Sequence, residues 1–488
     1  MSTGTVRDDD RTAPDGAAAR GGLQQGLERR HMQLIALGGV IGAGLFVGSG
    51  VVIRSAGPAA VLSFLVAGAL TVLIMRMLAE MTVARPALGS FYAHVRETLG
   101  LRAGFTVGWL YWYFFVIVVA VEAVAGGRIV RLWLPGAPLW AISLVLMAVL
   151  TATNMISARS YGEFEYWFSS VKVLAIVVFL FLGALYVLGL WPDAPGGLAT
   201  LTAHGGFVPE GLGAVLTAVV PCIGFFTGAE IVTIAAAESA EPERAVADAI
   251  RSIVLRVVAF YVLSVFVVVA VVPWTSKAIA VSPYAAVLDR LAVPAAGTVM
   301  NALVLIAVLS CLNSALYTSS RMLFALTRNG DAPRAFTKVS ASGVPRRALL
   351  AGTSVGYLSV IAAWISPDVV FTFLINSYGA VALFVYLAIA VAQLRMRRKL
   401  EREEPGRLTL KMWLYPWLSR LTLALMALVI GAMAFLPDSR AQFWLSLLTV
   451  AVVLAGYELR RRRGPGGGPA DGAVPPAGRD RRPSGSAS

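Results

Sequence analysis

A chain of 488 residues that is 58% hydrophobic and only 14% charged fits no soluble globular class. Apolar runs of about 20 residues, the length of a spanning helix, recur from end to end, whereas an outer-membrane barrel would alternate in segments of roughly ten. The formal net charge of +14 falls mainly in short loops between the runs, where it fixes topology, so nucleic acid is not an expected partner.

The reading is therefore an all-α polytopic membrane protein in the lipid bilayer. Residues 1–26 are polar, small and short of core formers, and read as a disordered N-terminus without a cleavable signal peptide. Spans are expected at about 32–53, 59–83, 104–131, 139–156, 165–190 and 210–237. Six more are expected at about 253–274, 298–327, 348–365, 369–394, 413–436 and 441–459. Between them lie a polar stretch around Arg85 to Arg102, a charged loop over 238–252 and a basic loop over 395–411. The tail over 461–488 is rich in Gly, Pro, Arg and Ser and reads as disordered. With twelve spans and the N-terminus inside, Arg29, Arg30, Arg96, Arg102, Arg159, Arg244, Arg328, Arg334, Lys338, Arg346, Arg347, the run Arg395–Lys411 and Arg460–Arg463 share one side. Only Arg54, Arg131, Lys277, Arg290 and Arg440 fall on the other. The positive-inside rule then places both termini in the cytoplasm of a cell that holds the protein in its cytoplasmic membrane.

Span 1 carries Gly38, Gly39, Gly42 and Gly44, and span 6 carries Gly224 and Gly228. Glycine inside a helix costs about 0.8–1 kcal/mol relative to alanine. Such clusters point to a helix that stops and restarts. A break at membrane depth frees N–H and C=O groups, which is tolerable only where protein, water or a ligand takes them. The other reading of these glycines is close helix packing. Five spans separate corresponding positions in spans 1 and 6. That spacing predicts an inverted five-plus-five repeat with a binding site where the two breaks meet.

Cys222 and Cys311 lie within apolar runs with neither metal-ligand nor disulfide spacing, and read as small core residues; no metal or cofactor is expected. Ionisable residues inside spans are costly and usually functional. Arg76 and Glu80, four apart, read as an ion pair on one helix face. Arg256, near a span end, reads as a snorkelling side chain. Glu230, just past the span 6 break, points to function; Glu122 is open between a structural and a functional role.

Several strings resemble the amino acid transporter family of the amino acid–polyamine–organocation superfamily. They are Arg30 to Gly39, Ile41-Gly42-Ala43-Gly44-Leu45-Phe46, Met75 to Met81, Gly89-Ser90-Phe91, Gly108 to Trp112 with Glu122, Gly162 to Trp167 with Lys172, Pro273-Trp274, Ser282-Pro283, Asn313-Ser314 and Ser320 to Leu323. They keep order and spacing over roughly residues 27–400. The resemblance implies a ten-helix core over 27–400 plus two peripheral helices over 401–460. It also implies proton-coupled uptake of an amino acid or related amine acid by a secondary active permease. Backbone at Val40, Ile41, Gly42, Ala43 and Gly44 would take the substrate carboxylate. Phe226, Thr227 and Gly228 would take the amino group through carbonyls, with Phe226 as an aromatic gate and Glu230 beside them. Lys172 would occupy the place of the cation held by sodium-coupled relatives, and with Glu122 would couple transport to protons. A lysine whose pKa burial lowers can gain and lose a proton as water access alternates; the competing reading is a snorkelling lysine. The chain departs from the family pattern at Ala43, where Thr or Ser is usual, at Thr227, where Gly is usual, and at Ala79, also usually Gly.

An antiporter of the same fold, exchanging an amino acid for its decarboxylated product, is the alternative. A polytopic membrane enzyme would need a polar catalytic cluster in a sizeable loop, and His31, His94 and His204 are scattered.

Overall fold

The computed structural model describes residues 41–85, 90–156, 159–192, 197–230, 242–340 and 344–462. The described residues form helices and loops without a strand. Nine helical stretches among them are long and apolar enough to cross a membrane. One of the nine, Gly44–Ala84, has 41 residues, about 60 Å of helix and twice a bilayer core. It divides at Gly57-Pro58: Gly57 takes φ 65°, and a Cβ there would stand 2.4 Å from Pro209. The first part is a π-helical turn, Gly44–Gly48, leading into α1 (Ser49–Ala56); the second is α2 (Ala60–Ala84).

The chain continues through α3 (Ser90–Leu99), α4 (Leu101–Arg131), α5 (Leu139–Ile156), α6 (Arg159–Val187) and α7 (Gly211–Phe226). Next come α8 (Pro242–Leu255), a π-helical stretch Arg256–Val262 and α9 (Leu263–Val271). The remainder is α10 (Pro283–Arg290), α11 (Ala296–Arg328), α12 (Arg346–Ile365), α13 (Pro367–Glu403), α14 (Trp417–Phe435) and α15 (Pro437–Arg462). Helix α4 lies at the centre, packed against α11, α13, α12, α3 and α5, and α7 fits between α2 and α13. Small residues allow these close approaches. A Cβ at Gly379 would meet the Val220 carbonyl oxygen at 2.2 Å.

Three expected loops are partly helical. The polar stretch after α2 holds α3, which buries Phe91, Tyr92, His94 and Val95. The charged loop over 238–252 is helical from Pro242, with Pro in the first turn and Ala249, Ile250 and Ile253 buried. The basic loop over 395–411 is helical to Glu403, burying Met396 and Leu400. In each case an amphipathic stripe, masked by charge in a composition reading, finds a surface to cover. Asp331 ties the loop after α11 to this side: it accepts from Arg96 at 2.7 Å and also bonds Tyr92 and Arg460.

The expected Arg76–Glu80 pair is replaced by longer-range partners. Glu80 is buried and accepts from Arg397 Nη1 at 2.8 Å, Gln393 Nε2 at 2.9 Å and the Met412 N–H. Arg76 donates to the Lys411 carbonyl at 2.7 Å and lies over Trp413. Burial decides the exchange: a desolvated carboxylate needs several donors, and α13 with its following loop supplies three. Arg397→Met should lower stability by about 3 kcal/mol, since it strands a buried charge with only two neutral donors. Thermal unfolding in detergent measures this, and the double variant with Glu80→Gln should recover most of the loss.

His94 packs in α3 with Nε2 3.3 Å from Thr82 Oγ1, whose proton goes to the Leu78 carbonyl at 2.9 Å. Thr82 therefore accepts from an Nε2–H. Burial pushes the imidazole down from 6.5 to about 4. The unfolded chain thus takes up the proton first, and stability falls as pH drops from 6.5 towards 4. The unfolding midpoint of His94→Gln should decline less steeply over that window than that of the wild type.

Candidate functional site

At the first break Ile41 and Gly42 are not helical; the Phe46 N–H bonds the Gly42 carbonyl at 3.4 Å with α-helical spacing, and the chain then widens into the π-helical turn Gly44–Gly48. Val40 lies outside the described residues. The Ala43 N–H donates to both oxygens of Glu122, at 3.1 and 3.0 Å. The Ile41 carbonyl accepts from Lys172 Nζ at 3.3 Å. The freed donor thus meets an acidic side chain and the freed acceptor a basic one. The glycines are needed for close approach as well. A Cβ at Gly42 would stand 2.5 Å from Cys311 Cβ and 2.6 Å from Glu122 Oε1; one at Gly44 would stand 2.6 Å from the Phe225 ring. Break and packing are one feature here.

The second break follows α7. Pro221 within α7 removes one ladder N–H, Thr227 turns extended at ψ 137°, and Gly228 takes φ 109°, a region open to glycine. The Gly228 N–H donates to both oxygens of Glu230, each at 2.9 Å. Tyr111 and Tyr386 donate their hydroxyls to the same carboxylate at 2.6 and 3.3 Å. Glu230 is 0% exposed. Thr227 donates its hydroxyl proton to the Ile223 carbonyl at 3.0 Å and also bonds Tyr386, so it links α7 to α13. Phe226 is buried between Tyr261 and Phe64, with ring centroids 4.6 and 6.4 Å away.

Lys172 is 1% exposed, which removes the snorkelling reading: its ammonium donates to Ser310 Oγ at 2.8 Å as well as to Ile41. It also lies within electrostatic range of Glu122. Arg256, expected to snorkel, is 2% exposed in the π-helical stretch and faces Tyr261, Tyr386 and Glu230. It lies three positions after the buried Ile253 and seven after the buried Ala249, on the stripe that α8 turns inward. Sequence reasoning gave Tyr111, Tyr386 and Ser310 no role and read Cys311 as a small core residue. Their one available signal was a polar atom within an apolar run.

A helical segment that begins after Gly42 and a helix that ends at Thr227-Gly228, each with ionisable residues buried at that end, inside a bundle whose described residues are apolar and helical, form the architecture of a membrane transporter. The fold is shared with the crystal structure of a manganese transporter from Eremococcus coleocola: TM-score 0.52, 14% identity, 89% of this chain and 94% of that one covered. Residues 31–465 match the model of the amino acid permease family, and the chain belongs to that family. It is 50% identical to the gamma-aminobutyric acid permease of Bacillus subtilis (strain 168), covering 91% of this chain and 95% of the relative. Identity to the gamma-aminobutyric acid permease of Escherichia coli (strain K12) is 48%, over 86% and 90% of the two chains. Identity to the aromatic amino acid transport protein AroP of Corynebacterium glutamicum is 37%, over 90% and 94%. The chain is thus a multi-pass membrane protein that transports amino acids.

Proposed function

We propose that this permease takes up γ-aminobutyrate or a close ω-amino acid together with protons. The observation that carries the reading is the pairing at the first break: Lys172 on the freed carbonyl and Glu122 on the freed N–H. Such an arrangement changes with protonation, and the Lys172–Glu122 pair is the coupling site in this reading. The backbone from Val40 to Gly44 receives the substrate carboxylate. Carbonyls around Phe226, Thr227 and Gly228, with Glu230 behind them, receive the ammonium. γ-Aminobutyrate separates its charges by three methylenes, and the greater identity to gamma-aminobutyric acid permeases than to AroP supports that substrate. The reading includes twelve spans in two inverted repeats of five plus a peripheral pair, with both termini cytoplasmic in the cell membrane.

Uptake of a labelled panel of amino acids into proteoliposomes, with and without an imposed inward proton gradient, tests substrate and coupling together. Accumulation of γ-aminobutyrate driven by the gradient into vesicles free of amino acids is expected. Dependence on an internal counter-substrate would overturn symport in favour of exchange. Topology has its own test. Cys222 and Cys311 are buried, so a single added thiol reports. Ala203→Cys should react with an impermeant maleimide outside intact cells, and Gly406→Cys only after permeabilisation.

A further inference from the structure

We infer that Tyr378 is a specificity-determining residue: its ring closes the space between the two breaks to long substrates, and its hydroxyl bonds the substrate carboxylate. The inference rests on the proposed carboxylate and ammonium seats and goes beyond them by naming what sets the length of the acid. Tyr378 lies on α13, which forms neither break, and is 4% exposed. Its ring stands over the last turn of α7. A Cβ at Gly224 would meet Tyr378 Cε2 at 2.5 Å and Cδ2 at 2.8 Å, so the glycine is what lets the ring lie there. The rings of Phe114 and Phe225 flank it, with centroids 5.3 and 6.1 Å away. Phe225 is in turn the ring held against Gly44. Contacts thus run from Gly224 through Tyr378 and Phe225 to Gly44, from one break to the other, and Tyr378 occupies the space between them.

The hydroxyl points the same way. Tyr111 and Tyr386 commit theirs to Glu230, and Tyr261 donates to the Phe225 carbonyl at 3.1 Å. Among the described residues the Tyr378 hydroxyl has no hydrogen-bond partner. It faces Glu122 and Cys311 at the first break, and Tyr261 and Cys222 beyond them. A buried hydroxyl left unpaired is costly, so it marks a place where a water or a ligand completes the bonding. The completing group here is the carboxylate bound for the Ala43 N–H. Ala43 offers that anion a backbone donor and no side-chain donor; Tyr378 supplies a second donor from α13. With the carboxylate at that end and the ammonium at the carbonyls around Thr227 and Gly228, the methylenes pass the Tyr378 ring. A ring fixed over Gly224 accommodates a short chain and refuses a longer one.

Competition against labelled γ-aminobutyrate on purified protein reads both roles, using ω-amino acids of two to five methylenes, from β-alanine to 6-aminohexanoate. Wild type should prefer three methylenes and bind the five-methylene acid at least about tenfold more weakly, the order of discrimination a fitted pocket makes for a methylene. Tyr378→Ser removes the ring and should improve 6-aminohexanoate relative to γ-aminobutyrate by about tenfold or more. Tyr378→Leu should shift the preference the same way by less, and it replaces the serine variant if that one is not monodisperse. Tyr378→Phe keeps the ring. It should keep the length order and weaken every acid in the series about tenfold, as expected for loss of a hydrogen bond to a charged group. Wild type that binds 6-aminohexanoate as tightly as γ-aminobutyrate overturns the inference. So does a Ser or Leu variant with the wild-type order, or a Phe variant with wild-type affinity. If wild type binds no member of the series, the γ-aminobutyrate reading falls instead. The acid it accumulates then carries the label, and Tyr378 is judged by the same variants on homologues of that acid lengthened one methylene at a time.

Discussion

Lys172→Gln should yield a permease that exchanges substrate across the membrane but no longer concentrates it. The lysine is buried in α6 and holds the Ile41 carbonyl and Ser310 Oγ. Glutamine can reach one of these partners but carries no charge. A hydrogen bond from a charged group contributes about 1.5–3 kcal/mol, so losing it should slow proton-driven uptake roughly 10- to 150-fold. The substitution also leaves Glu122 without its ammonium, which moves the pH dependence of whatever transport remains. Accumulation ratio and counterflow, measured in the same vesicles, separate the two effects. Unchanged accumulation with an unchanged pH profile would reduce Lys172 to a structural role.

Gly42→Leu and Gly44→Leu should abolish substrate binding while leaving membrane insertion intact. The first added carbon at Gly42 already stands 2.5 Å from Cys311 Cβ on α11 and 2.6 Å from the Glu122 carboxylate. Cβ is fixed to its backbone, so α11 or the break itself must shift. At Gly44 the obstacle is the Phe225 ring, which is also held against Gly48. Overpacking of this kind costs about 1–3 kcal/mol, tolerable for a large helical membrane protein, but it moves the Ala43 N–H off its partner. Scintillation proximity with labelled γ-aminobutyrate reads the loss, and monodisperse elution from a sizing column shows that the fold survives. In wild type, n-butylamine, which lacks the carboxylate, should not compete. Strong competition by the amine would contradict a backbone seat for the carboxylate.

The all-helical membrane fold was legible because its signals are local. A run of about 20 apolar residues announces a span without knowledge of its neighbours. Glycine clusters announced the interruptions at Gly42 and Gly228 for the same reason. Partners across the bundle left no such trace. Glu80 found Arg397, 317 positions away, instead of Arg76 one turn away, because burial demanded more donors than its own helix could offer. Arg256 continues the inward stripe of Ala249 and Ile253, a place its charge concealed. Helix α3 was hidden by the charges on its exposed face. At the candidate site the residue types were readable, and their pairing was not. Ala43 with Glu122, and Gly228 with Glu230, Tyr111 and Tyr386, meet only when separate helices come together.

The central claim, protons carried inward with the substrate, is tested most directly by watching the proton. Proteoliposomes holding the purified permease and a trapped pH-sensitive dye are given an inward γ-aminobutyrate gradient, equal pH on both sides and no amino acid inside. The account predicts that the lumen acidifies as γ-aminobutyrate enters, and that Glu122→Gln vesicles show no acidification. Entry of γ-aminobutyrate without acidification, or entry only after the vesicles are loaded with a counter-substrate, would contradict it.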